Sequence, residues 1–211
     1  MGVTLKLATS LDGRIATASG ESRQVTGEEA RAAVHGLRAS HDAVLVGIET
    51  ALADDPELTV RLQDHPGPQP ARVVLDSRGR LPATSKLVKT AAEVPTYVIT
   101  LRGVAAPAGV HHLQVVPDKD GYASLEPAMD ALSSVGLDRV LVEGGGQVAA
   151  SFVRAGLVNR LEWFRAPIVL GSEGRPCLGP LEIDRLADAP RLRRVSVEVL
   201  GADLWERYER A

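Results

Sequence analysis

DAVLVGIETALADDPELTVR, residues 42–61, is the stretch on which the reading of this chain turns. It opens with an unbroken apolar run, Ala43, Val44, Leu45 and Val46, the pattern of a strand buried on both faces. Gly47 breaks the run, and a hydroxyl (Thr50), two adjacent carboxylates (Asp54, Asp55), a proline and an arginine (Arg61) follow. Polar groups crowded just past the carboxyl end of a buried strand are where open α/β sheets hold their ligands. A solvated loop is the alternative, and spacing alone leaves both standing. A second polar cluster, Ser10-Leu11-Asp12-Gly13-Arg14 then Ser19-Gly20-Glu21-Ser22, also follows a strand-like run, at residues 3–9.

Outward from there, apolar periods of two and 3.6 alternate along the chain. Thr26 and Glu29 have the spacing of a capping box, and Ala30, Ala33, Val34 and Leu37 line one face of the helix it would open, with Arg31, His35 and Arg38 opposite. Residues 64–70, DHPGPQP, read as a surface connection too short to link domains. Strands are expected at 72–75, 96–100, 112–116 and 139–142, and a helix through Leu125, Ala128, Met129 and Leu132. After Glu143-Gly144-Gly145-Gly146 comes a helix with Val148, Phe152 and Ala155 inward, then an extended stretch at 159–164. Residues 194–200 and 203–208 alternate around Gly201 and read as an antiparallel hairpin at a sheet edge. Helices between strands, closed by a hairpin, predict an α/β fold with a mostly parallel central sheet, helices on both faces and an antiparallel C-terminal edge.

At 211 residues the chain is expected to form one domain, residues 1–211. A net charge of −3 carries no nucleic-acid footprint, and no apolar run approaches the roughly 20 residues of a spanning helix. Met1-Gly2-Val3 leads straight into a strand, so no signal peptide and a cytoplasmic location are expected. Cys177 is the sole cysteine, and His35, His41, His65, His111 and His112 have no metal-ligand spacing, so no metal is expected; His111 and His112 read as surface.

Gly144, Gly146 and Ala149 match G-x-G-x-x-A, in which glycines let backbone N–H groups approach an anion at a helix N-terminus. A dinucleotide fingerprint would open its βαβ unit and be answered by an acidic residue ending the next strand. Here the motif lies far along the chain, and Glu162 falls inside Leu161-Glu162-Trp163. A pyrophosphate loop outside the Rossmann fold and a merely structural glycine turn both remain open.

Five segments carry a family resemblance: residues 6–26 (KLATSLDGRIATASGESRQVT), 41–61, 72–82 (RVVLDSRGRLP), 140–171 (VLVEGGGQVAASFVRAGLVNRLEWFRAPIVLG) and 186–190 (LADAP). In this order they resemble the reductase half of the bacterial bifunctional riboflavin-biosynthesis deaminase/reductase. The resemblance implies a dihydrofolate-reductase-like fold and NADPH as cofactor. It places the nicotinamide beside Ala8 and Gln24, where the family usually has tryptophan; an amide has no indole face to offer, a departure that bears on cofactor affinity. It further assigns Thr50 and Asp54 to the cofactor, Ser77 to its adenosine end, and Gly144, Gly145, Gly146 and Gln147 to its diphosphate. Arg78 and Arg80 are candidates for a 2′-phosphate, but solvated loop arginines are the plainer reading.

The implied substrate is a phosphoribosylaminopyrimidine, contacted by Ser22, Arg38, Leu58, Arg61 and Glu143. Without the resemblance, Arg38 would be read as a cation complementing its helix C-terminus, Arg61 stays open between a ligand contact and an exposed residue, and a helix cap is the alternative for Glu143. Asp54 is the expected catalytic carboxylate, stabilising a cationic imine or relaying a proton, whereas Asp55 before Pro56 reads as a turn or cap and Asp12 as a loop former. The implied reaction is NADPH-dependent reduction of 5-amino-6-(5-phosphoribosylamino)uracil to its ribitylamino counterpart. The alternatives are the 2,5-diamino pyrimidinone as substrate, a paralogous reductase of another imine or a dihydropteridine, and a non-catalytic nucleotide-binding module. The H-x-E and P-C-x-x-C signatures of the family's zinc deaminase domain are absent from residues 1–211. A homodimer is expected, with Trp205 and Tyr208 of the hairpin supplying an apolar edge.

Overall fold

The computed structural model describes residues 1–22, 25–63, 65 and 67–211. They form two compact units, Met1–Gly2 with His35–Gly144, and Val3–Val34 with Gly145–Ala211.

In the first unit, β3 (Ala43–Gly47), β4 (Ala71–Leu75), β5 (Thr96–Leu101), β6 (His111–Val115) and β7 (Arg139–Val142) stand in the order β7-β3-β4-β5-β6, every neighbour parallel. The apolar run of β3 is buried at every residue, as a strand covered on both faces requires. Val44, Val46, Val74, Val98 and Leu141 from the strands meet Leu58, Leu81 and Leu87 from the connections in one core cluster. The helices of this unit are α2 (Ile48–Asp54), α3 (Lys86–Lys89), α4 (Leu125–Ser133) and, from His35 onward, α1 (Glu28–Ala39). α4 buries Ala128, Met129 and Leu132, the face its periodicity indicates. The largest polar side chain sealed inside is Arg72 of β4, 1% exposed, which donates to Thr90 Oγ1 (2.7 Å) and to the carbonyls of Leu87 (3.1 Å) and Val94 (2.8 Å).

The second unit holds β1 (Gly2–Thr9, from Val3), β2 (Arg14–Ala16), α5 (Gly146–Arg154), β8 (Arg160–Arg165), β9 (Arg175–Pro176), β10 (Leu192–Leu200) and β11 (Asp203–Arg210). Its larger sheet runs β10-β11-β8-β1, parallel between β8 and β1 and antiparallel through the expected hairpin, while β2 and β9 form a small antiparallel pair. The hairpin turns at Gly201, whose φ of 61° would strain a residue with a side chain.

Three local expectations are corrected. α1 begins at Glu28, with Arg31 N–H on the Gly27 carbonyl (3.2 Å), so Thr26 lies one residue outside the cap and does not form the box. Asp203 of the hairpin accepts the Gly27 N–H instead (2.6 Å), a partner from far along the chain. α5 turns Ala149, Ala150 and Phe152 inward, while Val148 is half-buried and Ala155 is its exposed C-cap. Trp205 is half-buried and not an apolar edge: it stacks on Phe164 (centroids 5.2 Å apart), donates to Glu162 Oε2 (2.7 Å), and carries the Arg207 guanidinium on its ring. The Tyr208 hydroxyl is likewise engaged, with Glu206 Oε1 (3.1 Å). The apolar side chains that do reach solvent belong to the outer strand β10: Val195, Val197 and Val199.

Candidate active site

In the first unit the chain leaves β3 through Gly47, the N-cap of α2, and the run Glu49-Thr50-Ala51-Leu52-Ala53 propagates a helix with Ile48 and Ala51 buried. Thr50 is half-buried near its start, and Asp54, its last residue, is exposed with no hydrogen-bond or ionic partner among the described residues. Asp55 closes the helix in the left-handed region (φ 39°) and accepts the Lys86 N–H on Oδ1 (2.8 Å), the capping role its sequence suggests. Gly47 pairs with Leu75, so the segments carrying Thr50 and Ser77 depart from neighbouring strand ends. Ser77 Oγ accepts the Ala123 N–H (2.8 Å). Arg80 is ion-paired with Glu49, and Arg78 stands 5.9 Å from the Tyr122 ring centroid, so neither is a bare cation.

Arg38 and Glu143, 105 residues apart, form a bidentate pair: Nε to Oε1 at 2.7 Å and Nη2 to Oε2 at 2.9 Å. Their side chains are only 13% and 8% exposed. Burial works against the Arg38 charge, but the Glu143 charge and hydrogen bonds outweigh it and hold the guanidinium above its ordinary value. The third edge of the fork donates from Nη1 to the Thr59 carbonyl (3.0 Å).

That carbonyl belongs to a segment held by side chains. Leu58 has φ 55°, a conformation costly for a branched residue, and is fixed there by burial in the core cluster. Gln69 grips Val60 on both sides, its Oε1 accepting the amide (2.7 Å) and its Nε2 donating to the carbonyl (3.2 Å). The Arg61 amide donates to His35 Nδ1 (3.2 Å). The Arg61 side chain itself is 65% exposed, with Glu57 at 3.7 Å as its ionic partner among the described residues. His35 is pushed below the ordinary imidazole value, first by burial and then by the Arg38 and Arg61 charges, against the pull of Glu143 and the Thr59 carbonyl.

In the second unit Ala8 lies half-buried near the end of β1, paired with Phe164, and Ser22 is exposed. Gln24 lies outside the described residues. Asp12 is the loop former expected: it accepts from Ser10 Oγ (2.6 Å) and from the Leu170 (3.1 Å) and Gly171 (2.8 Å) amides, which hold its carboxyl at about 2. Gly145 is the N-cap of α5 and, as glycine, brings no side chain of its own to that turn; a helix N-terminus favours an anion. Gln147 beside it is exposed.

Gly146 has a structural reason of its own. A Cβ there would stand 2.6 Å from the Pro176 carbonyl oxygen, and the Gly146 carbonyl accepts the Gly179 N–H (2.8 Å). Helix propensity alone makes Gly146→Ala stabilising, by about 1 kcal/mol. The close backbone approach reverses the sign: a loss of about 1–3 kcal/mol is expected from overpacking, read from urea midpoints. A gain in stability would show that the loop at residues 176–179 yields freely.

The family model for the RibD C-terminal domain matches residues 2–205. The chain belongs to the RibD C-terminal domain family. It is 39% identical over 212 residues to the 2,5-diamino-6-ribosylamino-4(3H)-pyrimidinone 5′-phosphate reductase of Methanothermobacter thermautotrophicus, covering 98% of this chain and 96% of that protein. It is 35% identical over 209 residues to the riboflavin biosynthesis protein RibD of Actinobacillus pleuropneumoniae, of which it spans 55%. Among solved structures, Acinetobacter baumannii RibD superposes with a TM-score of 0.83 at 32% identity, over all of this chain and 58% of that one. The yeast riboflavin biosynthesis reductase Rib7 shares the fold at TM-score 0.81 and 23% identity. The fold is therefore the dihydrofolate-reductase-like α/β fold implied by the sequence.

Within this RibD C-terminal domain, the first unit brings together Arg38, Leu58, Arg61 and Glu143, four of the expected substrate residues, around the segment at 57–61. Thr50, Asp54 and Ser77 lie past the ends of β3 and β4, and Ala8, Ser22, Gly145, Gly146 and Gln147 belong to the second unit. His35 and Gln69, the side chains that fix the segment, were not singled out from sequence. The one signal for His35 was its place three residues before Arg38 on the same helix face.

Proposed function

We propose that this chain reduces the ribosyl group of a 6-(5-phosphoribosylamino)pyrimidine to the ribitylamino group with NADPH, in riboflavin biosynthesis. The observation that carries the reading is the end-to-end match to the archaeal phosphate reductase. The base is the deaminated uracil in the first reading. The diamino pyrimidinone is the second, favoured because that reductase, named for the diamino substrate, is matched over 96% of its length whereas RibD is matched over 55%.

The chemistry needs the furanose N-glycoside to open, leaving a C1′=N imine that takes a hydride at carbon and a proton at nitrogen. The nicotinamide cofactor supplies the hydride when bound. In the second unit the glycine turn that opens α5, at Gly145, Gly146 and Gln147, would hold its diphosphate and Ala8 would meet its ring; Thr50 and Ser77 are the residues of the first unit assigned to it. Asp54, exposed and unpartnered among the described residues, is free to stabilise the cationic imine or pass a proton. In the first unit Arg61 presents its guanidinium to the 5′-phosphate, while the Arg38–Glu143 pair and Leu58 shape the wall beside it; Ser22 is the second unit's candidate substrate contact.

Arg61→Ala tests this assignment. Its weak, exposed ion pair with Glu57 adds little stability, so the variant should fold. Loss of charged hydrogen bonds, about 1.5–3 kcal/mol each, should raise substrate KM by roughly 10- to 100-fold and leave NADPH KM unchanged. A raised NADPH KM with substrate KM intact would sink it. NADPH oxidation measured with both pyrimidine phosphates chooses between the two bases, and oxidation with neither would leave a nucleotide-binding module. No described helix is long and apolar enough to cross a membrane, and we place the enzyme in the cytoplasm, with no nucleic-acid partner. The exposed valines of β10 are assigned to a homodimer interface, and a sedimentation mass equal to the 22.4 kDa chain would refute that.

A further inference from the structure

The segment at residues 57–61 reaches its conformation by side-chain holds, not by a strand ladder. Four of its backbone groups are tied from outside: the Thr59 carbonyl by Arg38 (3.0 Å), the Val60 amide and carbonyl by Gln69, and the Arg61 amide by His35 (3.2 Å). The last of these fixes a chemical state. An amide N–H donates only into an imidazole nitrogen without a proton, so Nδ1 is bare and the ring is neutral, with its proton on Nε2.

We propose that His35 is a positioning residue for phosphate binding: by accepting the Arg61 N–H it sets where Arg61 presents its side chain, and its protonation releases that hold. The inference rests on the assignment of Arg61 to the substrate phosphate. The groups facing His35 are Arg38 on its own helix, Arg61 and the Thr59 carbonyl on the segment, and Glu143 beyond β7; Glu57 faces Arg61 in turn. A protonated ring can only donate, so the Arg61 amide loses its acceptor. The new cation also joins Arg38 and Arg61, with Glu143 already committed to Arg38. Burial and those two guanidiniums hold the neutral form to lower pH than an ordinary histidine, so the hold is intact at neutral pH and fails below the usual value of 6.5.

The experiment compares wild type, His35→Asn, His35→Leu and Arg61→Ala in steady-state kinetics between about pH 5 and 8. An asparagine oxygen can stand near Nδ1 and does not titrate, whereas leucine removes the acceptor. At pH 7.5, His35→Leu should raise substrate KM about two- to ten-fold, the worth of one hydrogen bond, with kcat and NADPH KM unchanged. His35→Asn should keep a KM near wild type. As pH falls, the substrate's own second phosphate ionisation, near 6, raises KM in every variant, and wild type should rise further than His35→Asn. Superimposable wild-type and His35→Asn profiles would overturn the proposal, and so would an unchanged KM in His35→Leu beside a raised one in Arg61→Ala. An unchanged KM in Arg61→Ala as well would remove the phosphate assignment, and this inference with it. Should His35→Leu fail to fold, the pH comparison with His35→Asn still decides.

Discussion

Cutting Glu143 back to alanine is expected to destabilise the protein by about 3–5 kcal/mol, because it strands the Arg38 cation in a site where its side chain is only 13% exposed. The guanidinium would keep the Thr59 carbonyl as its named partner and lose both carboxylate bonds. Urea unfolding should show this as a lower midpoint at constant slope. A stronger test removes both charges. Arg38→Met with Glu143→Leu leaves neither ion uncompensated, so most of the stability should return. Turnover should not return, since Arg38 no longer ties the segment that carries Arg61 and neither side chain is left to meet substrate. If the double variant regained full activity, the pair would be a structural fixture outside the active site. If the single variant lost less than about 1 kcal/mol, the Arg38 charge would have an escape to solvent.

Arg72→Ala should be comparably damaging, at about 3–5 kcal/mol, the range for truncating the largest buried side chains. Arg72 heads the fully buried side chains by volume and reaches out of β4 to bind Thr90 Oγ1 and the carbonyls of Leu87 and Val94. Thr96 Oγ1 donates to the same two carbonyls (3.0 and 3.2 Å), so they keep one partner and the cavity supplies most of the loss. Arg72→Met, which refills much of that space without a charge, should lose clearly less. Equal losses would point to the hydrogen bonds instead of the volume. Arg72 also touches the Glu57 carbonyl at a long 3.5 Å, so a modest rise in substrate KM is the expected companion effect.

The strands were legible because their signals are local. Residues 43–46 are apolar throughout and buried throughout, and the alternation around Gly201 folded as the hairpin it suggested. What the sequence hid was non-local or a matter of phase. The start of α1 depends on Asp203, brought in by the hairpin, and no reading of Thr26 and Glu29 reveals it. α5 is apolar outside the face that carries Gln147, Ser151 and Arg154, and packing turned Ala149 and Ala150 inward where the spacing of Val148 and Ala155 suggested another face. Residues 48–54 were read as loop or ligand segment, though they are good helix formers with Ile48 and Ala51 at a helical spacing; the polar residues drew attention from the propensity.

For the site, residue types were legible and their pairings were not. Arg38 looked like a helix-end cation, and its burial depends on Glu143, 105 positions away. The positive φ of Leu58 has no signature in a leucine, since it is imposed by the core around it. Asp12 and Asp55 were read correctly as loop and cap because each has a local role, Asp12 with Ser10 Oγ and Asp55 as the left-handed C-cap of α2; their distant amide donors, Leu170, Gly171 and Lys86, had no local signal.

The most direct test of the reductase reading is the fate of the hydride. With NADPH carrying deuterium at both C4 positions, the ribitylamino product of the phosphoribosylaminopyrimidine should carry one deuterium at C1′, found by mass spectrometry and placed by NMR. Product formed without deuterium at C1′, or no product while NADPH still binds, would contradict it.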